Sequence, residues 1–242
     1  DRAAKESSFI LSNWPYAIDY LKEKGASEER FLWLPNGFSA EEFRSAAIPT
    51  GLLGNVPVGK FIVGYTGTLG KANALDVLLN VAIQLKNNNE VHFVIVGDGK
   101  LKPEILHLIQ INGLTNVTLL NSIPKSHIPA MLSYFDVCYV GFRKSNLYRF
   151  GNSLNKLSEY FMSGKPILYS IDSPFKPVDI ARAGITVPAE NPQAIADAIL
   201  KLKSLSPKQR NQMGQNGREY ALNNHDYAKL AEKLAVVLLG EK

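Results

Sequence analysis

One cysteine, Cys138, serves all 242 residues, so the chain can form no internal disulfide and no thiolate metal cluster. It lies in the apolar run FDVCYVGF and reads as a small buried hydrophobe. A reducing compartment is the expectation that follows. The four histidines, His92, His107, His127 and His225, are scattered without metal-ligand spacing and read as structural or surface residues. There is no Asp-x-Asp pair to bridge a metal to a diphosphate, and no Gly-x-Ser-x-Gly nucleophile elbow. No stretch approaches the ~18 apolar residues of a membrane span, and the start shows no signal peptide. The opening DRAAKESS lacks a methionine and is read as the start of a fragment.

Hydrophobic residues make up 45% of the chain and charged residues 20%, the balance of a soluble globular protein with a sizeable core. The formal charge is +5. Such mild basicity suits an anionic small ligand, a membrane surface or nucleic acid, and does not choose among them.

From Phe61 the apolar runs FIVGYTGT, VHFVIVG, NVTLL, DVCYVGF, KPILYSI and ITVP read as six strands ending at Val187, with helical patterns between them. That alternation predicts right-handed crossovers and an α/β fold: a mostly parallel, doubly wound, Rossmann-like sheet. Asn73 and Asp76 are spaced like a capping box at the first crossover helix. Asn191-Pro192 predicts a capped helix start, and Gly164 a helix stop. Upstream, SFILS and FLWLP read as strands around a helix PYAIDYLKEKG, too little to bury a core alone. Residues 1–58 are therefore expected to be the end of a preceding domain plus a linker running through TGLLGNVPVGK. Residues 59–224 form the Rossmann-like domain and 225–242 a closing helix that packs toward the missing part.

Ligands of open α/β sheets sit beyond the carboxyl ends of the strands, so three strand-to-helix turns matter. In GTLGK, Gly67 to Lys71, glycines let a backbone approach an anion, a helix amino end follows, and a lysine adds charge. VGDGKLK, Gly97 to Lys102, has Lys102 in place of a third glycine and lacks the acid expected ~20 residues on in a dinucleotide site. It reads as structural, with Asp98 a turn residue, and a nicotinamide enzyme is disfavoured. The third is GNSLNKLSEYFMSGKPILYS. Between Asp136 and Glu159 there is no acid, yet Arg143, Lys144, Arg149 and Lys156 all fall there. A cation at an exposed helix amino end costs ~0.3–1 kcal/mol, so Lys156 points to an anion held between lysine and helix. Asn152, Ser153 and Asn155 add donors and caps. Glu159 shares a helix face with Lys156. It is either an ion-pair partner worth ~0.2–0.5 kcal/mol or a carboxylate for sugar hydroxyls beside a phosphate. Tyr139, Phe142, Tyr148 and Phe150 could stack a base, with packing the favoured use for alternate ones.

PNGF, GYTGTLGKANALDVLL, VIVGDGKLK, SIPKSHIPAMLSYFDVCYV and NKLSEYFMSGKPIL together resemble the carboxyl-terminal half of a GT-B glycosyltransferase of the GT4 type. The chain is most similar to bacterial members that build surface polysaccharides such as lipopolysaccharide. The resemblance spans essentially the whole chain. It implies a nucleotide-sugar donor bound in this half, transfer with retention of configuration, and neither catalytic metal nor other cofactor. Lys156 with the backbone of Ser153, Leu154 and Asn155 would grip the diphosphate. Gly67, Thr68 and Lys71 match the second phosphate loop, Thr68 standing where many relatives carry arginine. Lys71, Lys156 and Arg149 would stabilise the departing diphosphate. Glu159 falls on the second acid of the family's Glu-x7-Glu motif, which holds the donor ribose. The first acid falls on Gly151, a departure that removes the usual carboxylate contact to the transferred sugar. Ile123 and Pro124 fall where relatives contact the nucleobase.

The resemblance further implies a UDP-linked sugar, N-acetylated amino sugars included, and a glycan or lipid-linked acceptor bound by the missing amino-terminal half. It places the enzyme in the cytoplasm, peripheral at the anionic inner face of the membrane, without nucleic acid as a partner. This piece alone is expected to bind donor and not to turn it over. Two alternatives stay open: a GT-B-fold UDP-sugar epimerase and a non-catalytic Rossmann-like anion-binding module.

Overall fold

Apolar runs without alternation make strands that are buried on both faces, as parallel strands covered by crossover helices must be. In the computed structural model, which describes residues 2–41, 43, 51, 53 and 56–239, six parallel strands run from Phe61 on, the four inner ones buried throughout and the two edge ones partly buried. They are β3 (Phe61–Thr66), β4 (Val91–Val96), β5 (Val117–Leu120), β6 (Val137–Gly141), β7 (Ile167–Ser170) and β8 (Gly184–Val187). Ahead of them lie α1 (Arg2–Glu6), β1 (Ile10–Ser12), α2 (Ala17–Glu23) and β2 (Phe31–Trp33). The large sheet is wholly parallel, in the order β5-β4-β3-β6-β7-β8. The chain winds outward in both directions from β3 and β6, so a crevice opens above the carboxyl ends of those two strands.

Helices α3 (Leu75–Gln84), α4 (Lys102–Ile111) and α8 (Pro192–Ser204) cover one face, closing over Tyr65, Phe93 and Ile95. Helices α5 (Ile128–Ser133), α6 (Asn155–Ser163), α7 (Pro177–Ile180) and α9 (Pro207–Asn224) cover the other, over Val94, Phe135 and Phe161. Cys138 and Tyr139 are completely buried in this sandwich. Phe142 and Tyr148 pack edge to face at 4.8 Å, and Phe150 packs on Tyr20. These rings are packing groups.

Local signals decide the helix ends. Asn191 Oδ1 accepts from Ala194 N at 3.0 Å ahead of Pro192, and Gly164 ends α6 in the left-handed conformation. The capping box expected at Asn73 and Asp76 does not form. Helix α3 starts at Leu75 behind a left-handed Ala74, because both polar side chains are held elsewhere: Asn73 at Lys156 and Thr68, Asp76 at Arg143.

Strands β1 and β2 pair in parallel over a small cluster of Ala4, Ile18 and Ala26. This unit rests on the large sheet domain through Tyr16 N, which donates to Phe150 O at 3.0 Å, and through Tyr16 and Trp33 against Phe175. Of the expected linker TGLLGNVPVGK, residues 50, 52, 54 and 55 lie outside the described residues. The preceding PNGF segment is clamped by the returning chain. Phe38 N donates to His225 O at 2.9 Å, Tyr227 N donates to Phe38 O at 3.0 Å, and His225 Nδ1 lies 3.0 Å from Asn36 O. The first turn of α10 (Tyr227–Leu239) lies over this clamp, so close that a Cβ on Gly37 would stand 2.7 Å from Tyr227 and Leu230. No described helix is long and apolar enough to cross a membrane.

Candidate functional site

Strand β3 ends at Thr66, where the Tyr160 hydroxyl of α6 accepts from Thr66 N at 2.8 Å and lies 3.2 Å from Thr66 O. Helix α6 is thereby fixed to the turn that follows β3. That turn interlocks with the next one: Leu69 N donates to Asp98 O at 2.8 Å and Leu101 N to Leu69 O at 3.0 Å. A Cβ on Gly97 would stand 1.9 Å from Gly67 O. The glycines of VGDGK therefore serve close backbone packing, and Asp98 holds Gly99 N and Lys102 within its own turn.

Leu154 precedes α6 with extended backbone and no side-chain cap, which leaves the first N–H groups of that helix without a side-chain acceptor. Lys156 lies in this first turn. Its Nζ is 2.9 Å from Tyr65 Oη and 3.1 Å from Asn73 Oδ1, and 4.2 Å from the centre of the Tyr65 ring. Tyr65 and Asn73 in turn donate to Thr68 O at 2.7 and 2.9 Å. The ammonium lies directly against Gly67, where a Cβ would meet Nζ at 2.9 Å. Gly67 also has φ +139°, so a side chain is excluded twice. Every partner of the lysine is neutral; among the described residues it forms no ion pair. Burial pushes its pKa down to about 8, with Glu159 opposing.

Glu159 does not close the ion pair that its spacing allows. It lines a cavity of about 860 Å³ with Lys125, Asn155, the Leu34–Phe38 segment, Tyr227 and Leu230. It also lines a smaller hollow with Lys125, Ile128 and Phe38. Burial raises its pKa, and Lys125 and Lys156 oppose that rise. Ile128 carries the wall on to a third hollow formed by Gly67, Thr68, Ser122 and Ile123. Shared walls thus join Glu159, Lys125, Ile123 and the Gly67–Thr68 turn into one groove. Pro124 follows Ile123 at the head of the Lys125–His127 turn. The Ser153 hydroxyl accepts from Asn36 N at 3.3 Å, tying the loop before α6 to the linker.

The cation cluster read from the sequence does not assemble. Arg143 is neutralised by Asp76 at 2.5 Å and Glu190 at 2.8 Å. Arg149 lies 4.5 Å over the Phe150 ring and lines a separate cavity with Lys144 and Lys176. Lys71 is exposed and lines a hollow with Asp76, Leu101 and Glu104 on the far side of the turn. Gly151 has φ +92°, and a Cβ there would stand 2.6 Å from the Pro15 ring. A glutamate at this position would be strained in backbone and would collide with Pro15. Sequence reasoning did not find Tyr65, Asn73, Tyr160 or Lys125. Tyr65 reads as one more core residue of a strand, and Asn73 as a cap.

The wholly parallel sheet with its switch-point crevice defines a Rossmann-like protein. Residues 60–204 match the family model of the glycosyl transferases group 1, and the chain belongs to that family. The alpha-D-kanosaminyltransferase of Streptomyces kanamyceticus is 24% identical over 176 residues, 72% of this chain and 44% of that protein. The chain thus spans less than half the length of this curated relative. HepE of Anabaena, solved in complex with UDP, superposes with a TM-score of 0.79 at 17% identity, covering 98% of this chain and 65% of that one. Sucrose-phosphate synthase of Thermosynechococcus elongatus gives 0.76 at 18% identity, covering 99% and 59%. At these identities the likeness shows the fold, the Rossmann-like half of GT-B glycosyltransferases.

Proposed function

We propose that this chain is the donor-binding half of a metal-independent glycosyltransferase that moves a sugar from a UDP-linked donor to a glycan or lipid-linked acceptor with retention of configuration. The observation that carries the reading is the Lys156 ammonium, held against the Gly67–Thr68 turn at the uncapped start of α6 with neutral partners only. When the bond from the sugar to the diphosphate breaks, charge builds on the leaving oxygen. A fixed cation and helix amino end stabilise that charge most at that moment. Lys71, exposed in the hollow beside Asp76, supplies a second cation only once its side chain swings back over the turn. Glu159 accepts the ribose hydroxyls, and Ile123 and Pro124 border the base. With Gly151 carrying no carboxylate, the transferred sugar is held by other groups. The acceptor binds to the half that lies outside this chain, and the family background suggests surface-polysaccharide assembly at the inner membrane face. Calorimetric titration with UDP tests this. Lys156→Met should weaken binding by at least ~10-fold, the scale of one charge-assisted hydrogen bond, and Glu159→Ala should weaken it too. Equal UDP affinity in parent and both variants would sink the reading.

A further inference from the structure

Beyond the ends of β7 and β8 lies a second cavity, of about 600 Å³, which shares no lining residue with the groove just described. Lys144, Arg149 and Lys176 line it, with Ser145, Thr186 and a single acid, Asp172. Among the described residues none of these three cations forms an ion pair. The contrast is with the adjacent Arg143, which is quenched by two acids. Asp172 Oδ1 is occupied by Ala189 N at 3.1 Å. The Lys144 N–H donates to Glu190 at 3.2 Å, and its ammonium, whose charge helps to hold the Glu190 carboxyl below its usual range, makes no direct ion pair among the described residues. Arg149 lies 4.5 Å over the Phe150 ring and its guanidinium makes no hydrogen bond or ion pair among the described residues, so its N–H groups are available for a bidentate contact. Thr186 Oγ1 is buried without a hydrogen-bond partner, and Ser145 Oγ accepts from Leu147 N with its own proton free to donate.

A guanidinium fork, two ammonium groups and hydroxyls around one void are the complement of a phosphoryl group. The volume falls within the ~300–1,000 Å³ of small-ligand sites, more than a bare phosphate fills. We infer that this cavity binds the phosphoryl group of a second ligand, separate from the nucleotide: a phosphorylated small molecule or a phospholipid headgroup. The experiment is titration of the whole chain with glycerol 3-phosphate, alone and with saturating UDP, and sedimentation with phosphatidylcholine vesicles with or without phosphatidylglycerol. Expected is glycerol 3-phosphate binding that persists in UDP and falls about tenfold in Lys144→Gln/Lys176→Gln, with UDP affinity unchanged. Binding only to phosphatidylglycerol vesicles, lost in the same variant, would assign the site to the headgroup. No binding of either probe, binding indifferent to the double variant, or loss of UDP affinity in step with it would overturn the inference. If UDP fails to bind the parent, the donor reading falls, and the probe titrated alone still tests this site.

Discussion

Replacing Lys156 by methionine should make the unliganded protein more stable and the liganded protein less so. The native pKa of about 8 lies below the ordinary 10.5, so between those values the unfolded chain holds the extra proton. Stability of the parent therefore rises with pH across that window, and below it the buried charge opposes folding throughout. At ~1.4 kcal/mol per tenfold change in acidity, the depression is worth ~3 kcal/mol. Methionine fills similar space without charge, and leaving Tyr65 and Asn73 without their partner takes back ~1–2 kcal/mol. The net gain near neutral pH is ~1–2 kcal/mol, or ~2–8 °C in Tm for a domain of this size. The assay is thermal unfolding of both proteins at about pH 7 and about pH 10, with and without UDP. The advantage of the variant should shrink at the higher pH. UDP at a concentration saturating for the parent should raise its Tm, and the rise in the variant should be smaller by the equivalent of ~1.4 kcal/mol or more for a tenfold or greater loss of affinity. A variant that is less stable near neutral pH, by an amount independent of pH, would refute the argument and make Lys156 a structural group.

Gly151→Glu should cost at least ~3 kcal/mol, since it combines a disfavoured φ with a collision; Pro15→Ala should restore part of that in urea unfolding. UDP affinity should fall as pH drops through the raised pKa of Glu159, because only the ionised carboxylate accepts from both ribose hydroxyls. 2′-Deoxy-UDP should show a shallower dependence, and Glu159→Gln almost none. Arg143→Gln should cost ~0.5–1 kcal/mol, the ion pairs being part-exposed. It should also weaken UDP binding, because Arg143 Nε donates to Lys71 O at 3.3 Å, a side-chain contact that glutamine lacks.

The six strands were legible because each is an apolar run with turn residues at its ends, and a parallel sheet asks for nothing subtler. Lys156 was legible for a different reason: a cation in an acid-free stretch at a helix start contradicts local electrostatics. Its partners were hidden. Tyr65 belongs to a strand whose every residue is buried, and its hydroxyl meets a lysine 91 positions away only because the start of α6 comes beside the end of β3. Charge in the sequence does not report where a charge is neutralised either. Arg143 meets acids 67 and 47 residues away, while Arg149, six positions along the chain, turns to a different cavity.

The clamp at Phe38 and Asp226 also fixes how the chain's two ends can move. A body tethered by one strand is on a swivel and can turn about any axis. Here the outgoing segment and the returning segment cross side by side, joined by hydrogen bonds in both directions. Two plies laid together resist twist, and the segment ahead of Leu34 is held a second time where Tyr16 and Trp33 pack on Phe175 and Tyr16 N meets Phe150 O. Asn36 N on the Ser153 hydroxyl adds a third tie, to the loop that starts α6. The stretch that leads into the sheet domain and the loop that sets the Lys156 helix are thus spliced to each other.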